Sequence, residues 1–368
     1  MKIGLDAKRL FHNSTGLGNY SRDLVRIMAK FNPENQYFLY HSKIKKIDRI
    51  DIDSKIVFEK LFAGSKLLRN FWRLSGIKKD LKIDKIDIFH GLSGEIPRGL
   101  KKTNIKTIVT IHDLIFVHYP ELYKIIDRKI YFWKFKHAAE QADLVIAISE
   151  QTKTDIVNFL KISPDKIKVI YQGCAEIFKE EIAAEVLDDV RAKYNLPEKF
   201  ILNVGTIEQR KNILSVIKAI EGKNIPLVII GKKTNYFDEI EAFIKEKDMN
   251  SQVVFIKKIP FEDLASIYQL ATIFVYPSIF EGFGIPIIEA LYSKTPVITS
   301  TGSCFSEAGG PNSIYVEPNN FLELRKSIEN LWNNDFLQKE MIEKGYQFVQ
   351  KFNDENIALD WINTYKSL

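Results

Sequence analysis

Two glutamates eight positions apart, Glu281 and Glu289, are the residues of this sequence whose type and spacing most suggest chemistry. Gly282 and Gly284 follow the first of them, and glycine lets the backbone approach a ligand closely. The N–H groups at a helix start favour an anion such as a phosphate. We therefore expect one carboxylate beside a ligand at a helix tip, and the second farther along the helix, where it accepts hydrogen bonds from hydroxyl groups.

A strand and a helix must hold these glutamates in place. The apolar run at residues 273–276 predicts a buried strand, and residues 285–292 predict a helix with Pro286 in its first turn, where proline is tolerated. An alternative needs no ligand: Glu281 is then a favourable charge at a helix N-terminus, and Glu289 a solvated helix residue.

A pair of cations follows another predicted strand. Residues 200–204 are apolar, Gly205 comes next, and Arg210 and Lys211 stand just before the next predicted helix. Arginine clamps an anion through two N–H groups and lysine acts as a point charge, so the pair suits a diphosphate. The alternative is a pair of solvated surface charges.

The first half of the chain offers weaker candidates. Gly16 and Gly18 follow the first predicted strand and could bring N–H groups to a phosphate or a sugar, but the third glycine of the dinucleotide fingerprint is missing, which disfavours a nicotinamide-dependent dehydrogenase. His90, His112 and Asp113 stand at the carboxyl ends of predicted parallel strands, where ligands of open sheets bind. A hydrogen-bonded structural histidine is the alternative at such a position.

These candidates require a doubly wound architecture. Apolar strands alternate with helical segments through both halves, which predicts parallel sheets, and 368 residues exceed one ordinary core. We predict a first domain of residues 1–172 completed by residues 353–368, and a second domain of residues 173–352.

Composition excludes several classes of protein. Cys174 and Cys304 are the only cysteines, so there is neither a disulfide framework nor zinc-ligand spacing. The N-terminus predicts a strand rather than a signal sequence, and no apolar run approaches the roughly 20 residues of a membrane span. We therefore predict a cytoplasmic protein.

The net charge of +6 is unevenly distributed. Residues 1–170 hold 32 basic and 19 acidic residues, a balance of +13, whereas the remainder holds 21 basic and 28 acidic residues, a balance of −7. This asymmetry suggests an anionic partner for the first half.

Residues 66–79 alternate large apolar and basic side chains at helical spacing. They predict either a surface helix packed on the domain or a dock for anionic lipid headgroups. The Asp51-x-Asp53 sequence imitates a metal motif, but we interpret it as a surface turn because no apolar strand delivers it to a cleft.

Residues 276–286, with the pattern Tyr-Pro-Ser-x-x-Glu-Gly-Phe-Gly-x-Pro, resemble the signature of the retaining nucleotide-sugar glycosyltransferases of family four, the glycosyl transferases group 1. The segment around Arg210 and Lys211 is similar to that family's Val-Gly-Thr-x-Glu-x-Arg-Lys-Asn element, and His112-Asp113 to its Thr-x-His-Asp element. Thr206 stands where many members carry an arginine. The resemblance extends over essentially the whole chain.

The resemblance implies an α/β protein of the GT-B fold, with two facing doubly wound Rossmann-like domains and a C-terminal crossover helix. The first domain would bind the acceptor and the second the nucleotide sugar. It implies catalytic roles for His112, Arg210, Lys211 and Glu281, and donor binding by Gly16, Gly18, Gly205, Gly282, Phe283, Gly284, Ile285 and Glu289. From their positions at strand ends, we predict that His90 and Asp113 lie on the acceptor side.

The activity it implies is transfer of a hexose, with mannose favoured, from a GDP- or UDP-linked donor to a glycan or lipid-linked acceptor in cell-surface polysaccharide synthesis. The anomeric configuration would be retained without cofactor or metal. The partners would include an anionic membrane surface but no nucleic acid, with the protein peripheral on the inner face of the membrane. A nucleotide-sugar 2-epimerase of the same fold and a two-lobed binding protein are the alternatives.

Overall fold

The chain forms two compact units in the computed structural model, which describes residues 1–13, 15–43, 55–257 and 259–368. The first unit comprises Met1–Gly173 together with Phe352–Leu368, and the second comprises Cys174–Lys351. Each boundary differs by one residue from the predicted division. The Asp51-x-Asp53 turn lies outside the described residues.

A seven-stranded sheet forms the centre of the first unit, in the order β3-β2-β1-β4-β5-β6-β7, and every neighbouring pair is parallel. Parallel sheets are covered on both faces, which explains the apolar runs. The strands are β1 (Lys2–Asp6), β2 (Gln36–His41), β3 (Val57–Leu61), β4 (Ile88–Gly91), β5 (Lys106–Ile111), β6 (Leu144–Ala147) and β7 (Ile167–Val169).

Among the described residues, the α-helices that accompany this sheet before the second unit begins are α1 (Lys8–His12), α2 (Gly16–Phe31), α3 (Lys66–Phe71), α4 (Lys78–Ile83), α5 (Ile115–His118), α6 (Ile125–Gln141) and α7 (Glu150–Asp155). Two π-helical turns, Trp72–Gly76 and Ile156–Leu160, follow α3 and α7. Short 3-10 turns occupy Leu100–Lys102, Pro120–Leu122 and Pro164–Lys166. The predicted basic segment is therefore a short α-helix continued by a π turn.

The second unit contains a six-stranded parallel sheet in the order β10-β9-β8-β11-β12-β13. Its strands are β8 (Ile201–Val204), β9 (Leu227–Ile230), β10 (Val253–Ile256), β11 (Ile273–Tyr276), β12 (Val297–Ser300) and β13 (Ile314–Val316). The order reverses between β8 and β11, so the chain leaves these adjacent strands in opposite directions along the sheet.

The helices of the second unit are α8 (Ala184–Lys193), α9 (Ile213–Ile220), α10 (Phe237–Glu246), α11 (Phe261–Leu270), α12 (Ile285–Tyr292), α13 (Phe305–Gly309), α14 (Phe321–Trp332) and α15 (Asp335–Val349). Short 3-10 turns occupy Glu176–Phe178, Gln209–Lys211 and Gln350–Phe352. The apolar faces of α9, α10 and α14 bury one side of the sheet in a single core.

The last helix, α16 (Asp354–Lys366), returns to the first unit as predicted for the C-terminal helix. Its Trp361 and Tyr365 join the core formed with α2. The Asp354 carboxylate accepts a hydrogen bond from Arg26 of α2 at 2.6 Å. None of the described helices has both the length and the apolar character needed to cross a bilayer.

Candidate functional site

The reversal of strand order between β8 and β11 is where open α/β sheets bind ligands, beyond the carboxyl ends of the strands. Ile201 of β8 pairs with Ile273 of β11, so the two strands end at the same edge. The chain leaves β8 through residues 205–212 and β11 through residues 277–284. The two loops carry Arg210, Lys211 and Glu281.

The loop after β8 is held by local geometry and by its neighbours. Gly205 has φ +153°, and Asn212 adopts the left-handed conformation (φ 54°) that asparagine tolerates. The Asn212 side chain donates to the Pro318 carbonyl at 2.5 Å, and the Thr234 hydroxyl donates to the Ile207 carbonyl at 2.5 Å. The 3-10 turn between these anchors carries Arg210 and Lys211.

The loop after β11 is tied to the first loop and to the segment after β12. The Ile279 N–H donates to the Arg210 carbonyl at 2.9 Å. The Ser303 hydroxyl donates to the Glu281 carbonyl at 3.0 Å, and the Cys304 thiol donates to the Phe283 carbonyl at 3.0 Å. The backbone of the glycine turn is therefore held on both sides.

The start of α12 has the predicted form. Gly284 is its N-cap with φ +106°, a conformation that favours glycine, and Pro286 lies in the first turn. Ile285 begins the helix, and Gly282 and Phe283 are buried in the preceding turn. Four of the residues predicted to bind the donor, Gly282 to Ile285, thus lie together in this turn and at the helix start.

The two cations share one carboxylate oxygen. Oε1 of Glu281 lies 2.5 Å from Nζ of Lys211 and 2.8 Å from Nη1 of Arg210. Arg210 also donates to the Phe280 carbonyl at 2.5 Å and to Glu208 at 2.7 Å. All three charged groups of the central cluster are largely buried, which contradicts the alternative of solvated surface charges.

The environment favours the charged forms of Glu281 and Arg210 and opposes that of Lys211. Burial alone would raise the pKa of Glu281, but Lys211 and Arg210 outweigh it and lower this pKa to about 2. Burial is the largest influence on Lys211 and lowers its pKa; Glu281 opposes this effect and Arg210 adds to it. Burial also opposes ionisation of Arg210, yet Glu281 and Glu208 raise its pKa above the ordinary value. Two buried cations therefore face one buried carboxylate, with Glu208 at the rim.

Tyr276, at the end of β11, completes the cluster. Lys211 Nζ donates to the Tyr276 hydroxyl at 2.5 Å and lies 4.8 Å from the centre of its ring. The hydroxyl in turn donates to Oε1 of Glu281 at 3.0 Å. Burial, followed by the Glu281 charge, raises the pKa of Tyr276 well above its usual range, so the hydroxyl remains a donor. This role of Tyr276 was not predicted, although the residue opens the Tyr-Pro-Ser pattern.

Glu289 lies in the second turn of α12 and is buried, so it is not the solvated helix residue of the alternative interpretation. The Tyr268 hydroxyl of α11 donates to its Oε2 at 2.9 Å. Burial, followed by the Glu289 charge, raises the pKa of Tyr268 well above its usual range. No sequence pattern pointed to Tyr268, because its partner lies 21 positions away on another helix.

His112 follows β5 in the first unit and is held in one tautomer. Its Nε2 donates to the Leu92 carbonyl at 2.8 Å, and the ring packs edge-on against Tyr20 with centroids 4.6 Å apart. Burial lowers the pKa of His112 to about 4, although the bond to Leu92 opposes this shift. The ring is therefore neutral near pH 7, and Nδ1 carries the lone pair.

His90, which we predicted to lie on the acceptor side, is buried in the interior of the first unit. The ring is fully buried in β4, and its nitrogens hydrogen-bond with Tyr365 of α16 at 2.9 Å and Thr110 at 2.7 Å. Burial lowers the pKa of His90 to about 3, and His112 adds to this shift. This interior position does not support contact with an acceptor. Asp113 is half-buried and accepts a hydrogen bond from the Ile115 N–H at 3.1 Å.

Gly16 and Gly18 lie in the first turn of α2. Gly16 is exposed, whereas the N–H of Gly18 donates to the Asn13 side chain at 3.2 Å. A Cβ at Gly18 would lie only 1.8 Å from the Asn13 carbonyl oxygen, so a close backbone approach explains this glycine. Donor contact for the pair remains a prediction.

The acidic, histidine and cysteine side chains of the described residues form no cluster of three or more that could hold a metal ion. The positive charge at the switch point comes from Arg210 and Lys211.

Two family sequence models match the chain in succession. The model "Glycosyltransferase Family 4" matches residues 15–175, and "Glycosyl transferases group 1" matches residues 188–348. The chain belongs to this family of glycosyltransferases, as the motifs predicted.

Similar proteins agree with this assignment. The O-antigen chain mannosyltransferase B of Escherichia coli is 28% identical over 387 residues, and the match covers all of both chains. Sucrose-phosphate synthase from Thermosynechococcus elongatus aligns over 100% of this chain and 98% of its own, with TM-score 0.81 and 23% identity. Anabaena HepE in complex with UDP-glucose aligns over 100% of both chains, with TM-score 0.75 and 16% identity. The predicted GT-B fold is confirmed.

Proposed function

We propose that this glycosyltransferase moves a hexose, with mannose favoured, from a nucleotide-diphosphate sugar to a glycan or lipid-linked acceptor in cell-surface polysaccharide synthesis. The preference for mannose is supported by the full-length similarity to an O-antigen mannosyltransferase. The preference for a nucleotide-sugar donor is supported by the family and by the UDP-glucose bound to a protein of the same fold.

The observation that carries the proposal is the buried Arg210–Lys211–Glu281 cluster at the switch point of the second sheet. An ammonium group has three N–H donors. Among the described residues, two donors of Lys211 are used by Tyr276 and Glu281, which leaves one for a phosphate oxygen. Arg210 and Lys211 give the Arg210–Lys211–Glu281 cluster one more positive than negative charge, which Glu208 at the rim offsets and a diphosphate would compete for.

Glu289 is proposed to accept hydrogen bonds from the ribose hydroxyls of the donor. Its carboxylate is fixed by Tyr268, so little side-chain entropy is lost when it binds a ligand. The glycine turn, Glu281 and Ile285 at the start of α12 would hold the donor sugar. His112 would offer its unprotonated Nδ1 to a sugar hydroxyl.

Cleavage of the glycosidic bond places negative charge on the departing phosphate. Lys211 and Arg210, already positioned, would stabilise that charge more in the transition state than in the ground state. We propose that these cations make a metal ion unnecessary and that the anomeric configuration is retained. A chelator would then leave turnover unchanged, and NMR of the product linkage would report its configuration.

The first experiment is a thermal-shift measurement of the purified protein with GDP, UDP, GDP-mannose and UDP-hexoses. A ligand at about 100 times its Kd adds roughly 2.7 kcal/mol to the free energy of unfolding, which is visible in Tm. We expect a selective shift with one nucleotide family that disappears in Glu289→Ala. Glu241→Ala, which removes an exposed carboxylate from α10, is the matched control.

A transfer assay with the selected donor then tests the activity itself. Product formation should require an acceptor glycan. Absence of any shift, or an equal shift in Glu289→Ala, would contradict the proposed donor site.

A further inference from the structure

Glu208 is a charged residue of the loop after β8 to which the proposed donor contacts give no role. Its Oε1 accepts a hydrogen bond from Nη2 of Arg210 at 2.7 Å. Nη1 of Arg210 already donates to the Phe280 carbonyl at 2.5 Å and lies 2.8 Å from Oε1 of Glu281. A guanidinium has five N–H groups in a fixed fork, so those left for another anion belong to Nη2 and Nε. The Glu208 carboxylate therefore lies where a phosphate would bind Arg210.

The two loops at the switch point carry equal numbers of positive and negative charges. Residues 205–212 contain Glu208, Arg210 and Lys211, and residues 277–284 contain Glu281, with no other charged side chain in either loop. Without Glu208 this group would have one more positive than negative charge. Removal of the Glu208 charge should therefore strengthen the attraction of these loops for an anion.

The two carboxylates differ in how firmly they are held. Glu281 is bound by Lys211, Arg210 and Tyr276, and its side chain is only 11% exposed. The Glu208 side chain is 37% exposed, and within the described part of the chain Arg210 is its one hydrogen-bond partner. Glu208 is therefore the carboxylate that an incoming anion can displace.

The backbone of Glu208 is fixed independently of its carboxylate. The preceding residue, Ile207, is held by the Lys232 carbonyl and the Thr234 hydroxyl. The Glu208 carbonyl accepts a hydrogen bond from the Lys211 N–H at 2.9 Å, and its side chain caps no N–H group of the 3-10 turn. Rotation of the side chain would thus free Nη2 of the arginine without moving the turn.

We propose that Glu208 is a displaceable counter-ion of Arg210 and that it sets how tightly the site holds a nucleoside diphosphate. The diphosphate of the donor displaces the carboxylate from Arg210. After transfer, the carboxylate returns to Arg210 as the nucleoside diphosphate leaves. Glu208 acts through Arg210 and not on the reacting atoms, so it is a positioning residue. Its effect is to favour product release, a step that limits the turnover of many enzymes.

A purely structural ion pair is the alternative. Glu208 would then only hold the Arg210 side chain in place, and loss of its carboxylate would weaken the binding of a diphosphate. The two interpretations therefore predict opposite changes in affinity for Glu208→Gln, a variant that keeps the size of the side chain and removes its charge.

Titration calorimetry of the full chain at low ionic strength tests the proposal, which rests on the proposed donor site. The probes are UDP and GDP, with UMP, GMP, uridine and guanosine for comparison. We expect Glu208→Gln to bind the preferred nucleoside diphosphate about fivefold more tightly, the upper end of what an exposed ion pair contributes. The gain should be smaller for the monophosphate and absent for the nucleoside, and salt should reduce it.

Two variants control for the loss of a carboxylate. Glu208→Asp keeps the charge and should bind the diphosphate like the parent. Glu329→Gln removes the carboxylate of another half-buried ion pair, which Glu329 of α14 forms with Lys223. Lys223 follows the end of α9, whereas the loop with Arg210 precedes its start, so this variant should also bind like the parent.

Inhibition by the product gives a second measurement. In the transfer assay, the Ki of the nucleoside diphosphate should fall in Glu208→Gln by the same factor as its Kd. A structural role of Glu208 would not lower either constant.

The outcomes separate this inference from the proposed function. If the parent binds a nucleoside diphosphate and Glu208→Gln binds it equally or more weakly, the inference is wrong and the donor site stands. An equal gain for nucleoside and diphosphate would also overturn it, because charge would not be the cause. If neither protein binds any of the nucleotides, the donor site itself is contradicted, and the inference with it.

Discussion

Individual side chains of the donor site depend on partners that hold them in one orientation. Lys211 is fixed by Tyr276 and Glu281, and Glu289 is fixed by Tyr268. Such preorganisation lets charged groups act on a transition state without reorganising. The same low-dielectric surroundings shift the pKa values of the buried groups.

Lys211→Ala tests the proposed catalytic charge. We expect turnover to fall by about 100-fold or more, because one preorganised donor to the departing phosphate is lost. Tm should change much less, since Arg210 still pairs with Glu281. Lys245→Ala, at an exposed position, is the control in a steady-state assay. Near-normal turnover of Lys211→Ala would refute the assignment.

The buried histidines predict how the stability of the first unit depends on pH. In the unfolded chain each imidazole has a pKa near 6.5. In the folded unit, burial lowers the pKa to about 3 for His90 and to about 4 for His112. The two histidines therefore contribute fully to the free energy of unfolding above pH 6.5, and this contribution is lost as the pH falls from 6.5 towards the folded-state pKa values. The loss approaches about 1.4 kcal/mol per pH unit for each ring.

Urea unfolding followed by tryptophan fluorescence at pH 7.5 and pH 5 measures this loss, since Trp72, Trp133 and Trp361 lie in the first unit. His90→Gln should lose less stability than the parent on acidification. Leu359→Ala, which truncates an exposed side chain that does not titrate, should show the same pH response as the parent. An identical pH response in all three proteins would contradict the explanation.

At the scale of elements, the site depends on how closely the loops of adjacent strands approach. Gly231 directly follows β9, and a Cβ there would lie 1.7 Å from the Gly205 carbonyl oxygen. The same region is tied by the hydrogen bond from the Ile207 N–H to the Lys232 carbonyl at 2.9 Å. The loop that carries Arg210 and Lys211 is thus positioned by the end of β9.

Gly231→Ala should therefore displace the loop after β8. We expect the free energy of unfolding to fall by about 1–3 kcal/mol, as for other overpacked sites, and donor affinity to fall with it. Urea unfolding and the donor-induced Tm shift measure the two effects. Lys232→Ala, which alters only an exposed side chain, should retain both values. If Gly231→Ala were as stable as the parent, the loop after β8 could accommodate the added methyl group without loss of stability, which would contradict this prediction.

At the scale of the whole molecule, the chain completes its first unit with its last residues. Trp361 of α16 is 1% exposed in the core shared with α2, and its ring centroid lies 4.8 Å from that of His90. Stability of the first unit therefore depends on a segment separated from it by the entire second unit.

Trp361→Ala should reduce the free energy of unfolding of the first unit by about 3–5 kcal/mol, because a large buried ring is replaced by a cavity. Leu359→Ala, which truncates a side chain 56% exposed on the same helix, is the control and should cost far less. Urea unfolding of both variants, followed by circular dichroism, measures the difference. Equal losses in the two variants would argue against a structural role for α16 in this core.

The sequence alone determined the alternation of strands and helices, the two-part organisation and the loops that carry Arg210, Lys211, Glu281 and Glu289. These features depend on local periodicity, on glycine and proline positions, and on short motifs, all of which are contained in neighbouring residues.

Tertiary structure alone decided which groups those residues meet. It paired Lys211 with Tyr276, 65 positions away, and His90 with Tyr365, 275 positions away, and it left Phe71 in solvent while burying Trp72. Strand order and helix packing set such contacts. A local sequence pattern indicates which residues could be buried or charged, but it does not indicate which distant residues they contact in the folded protein.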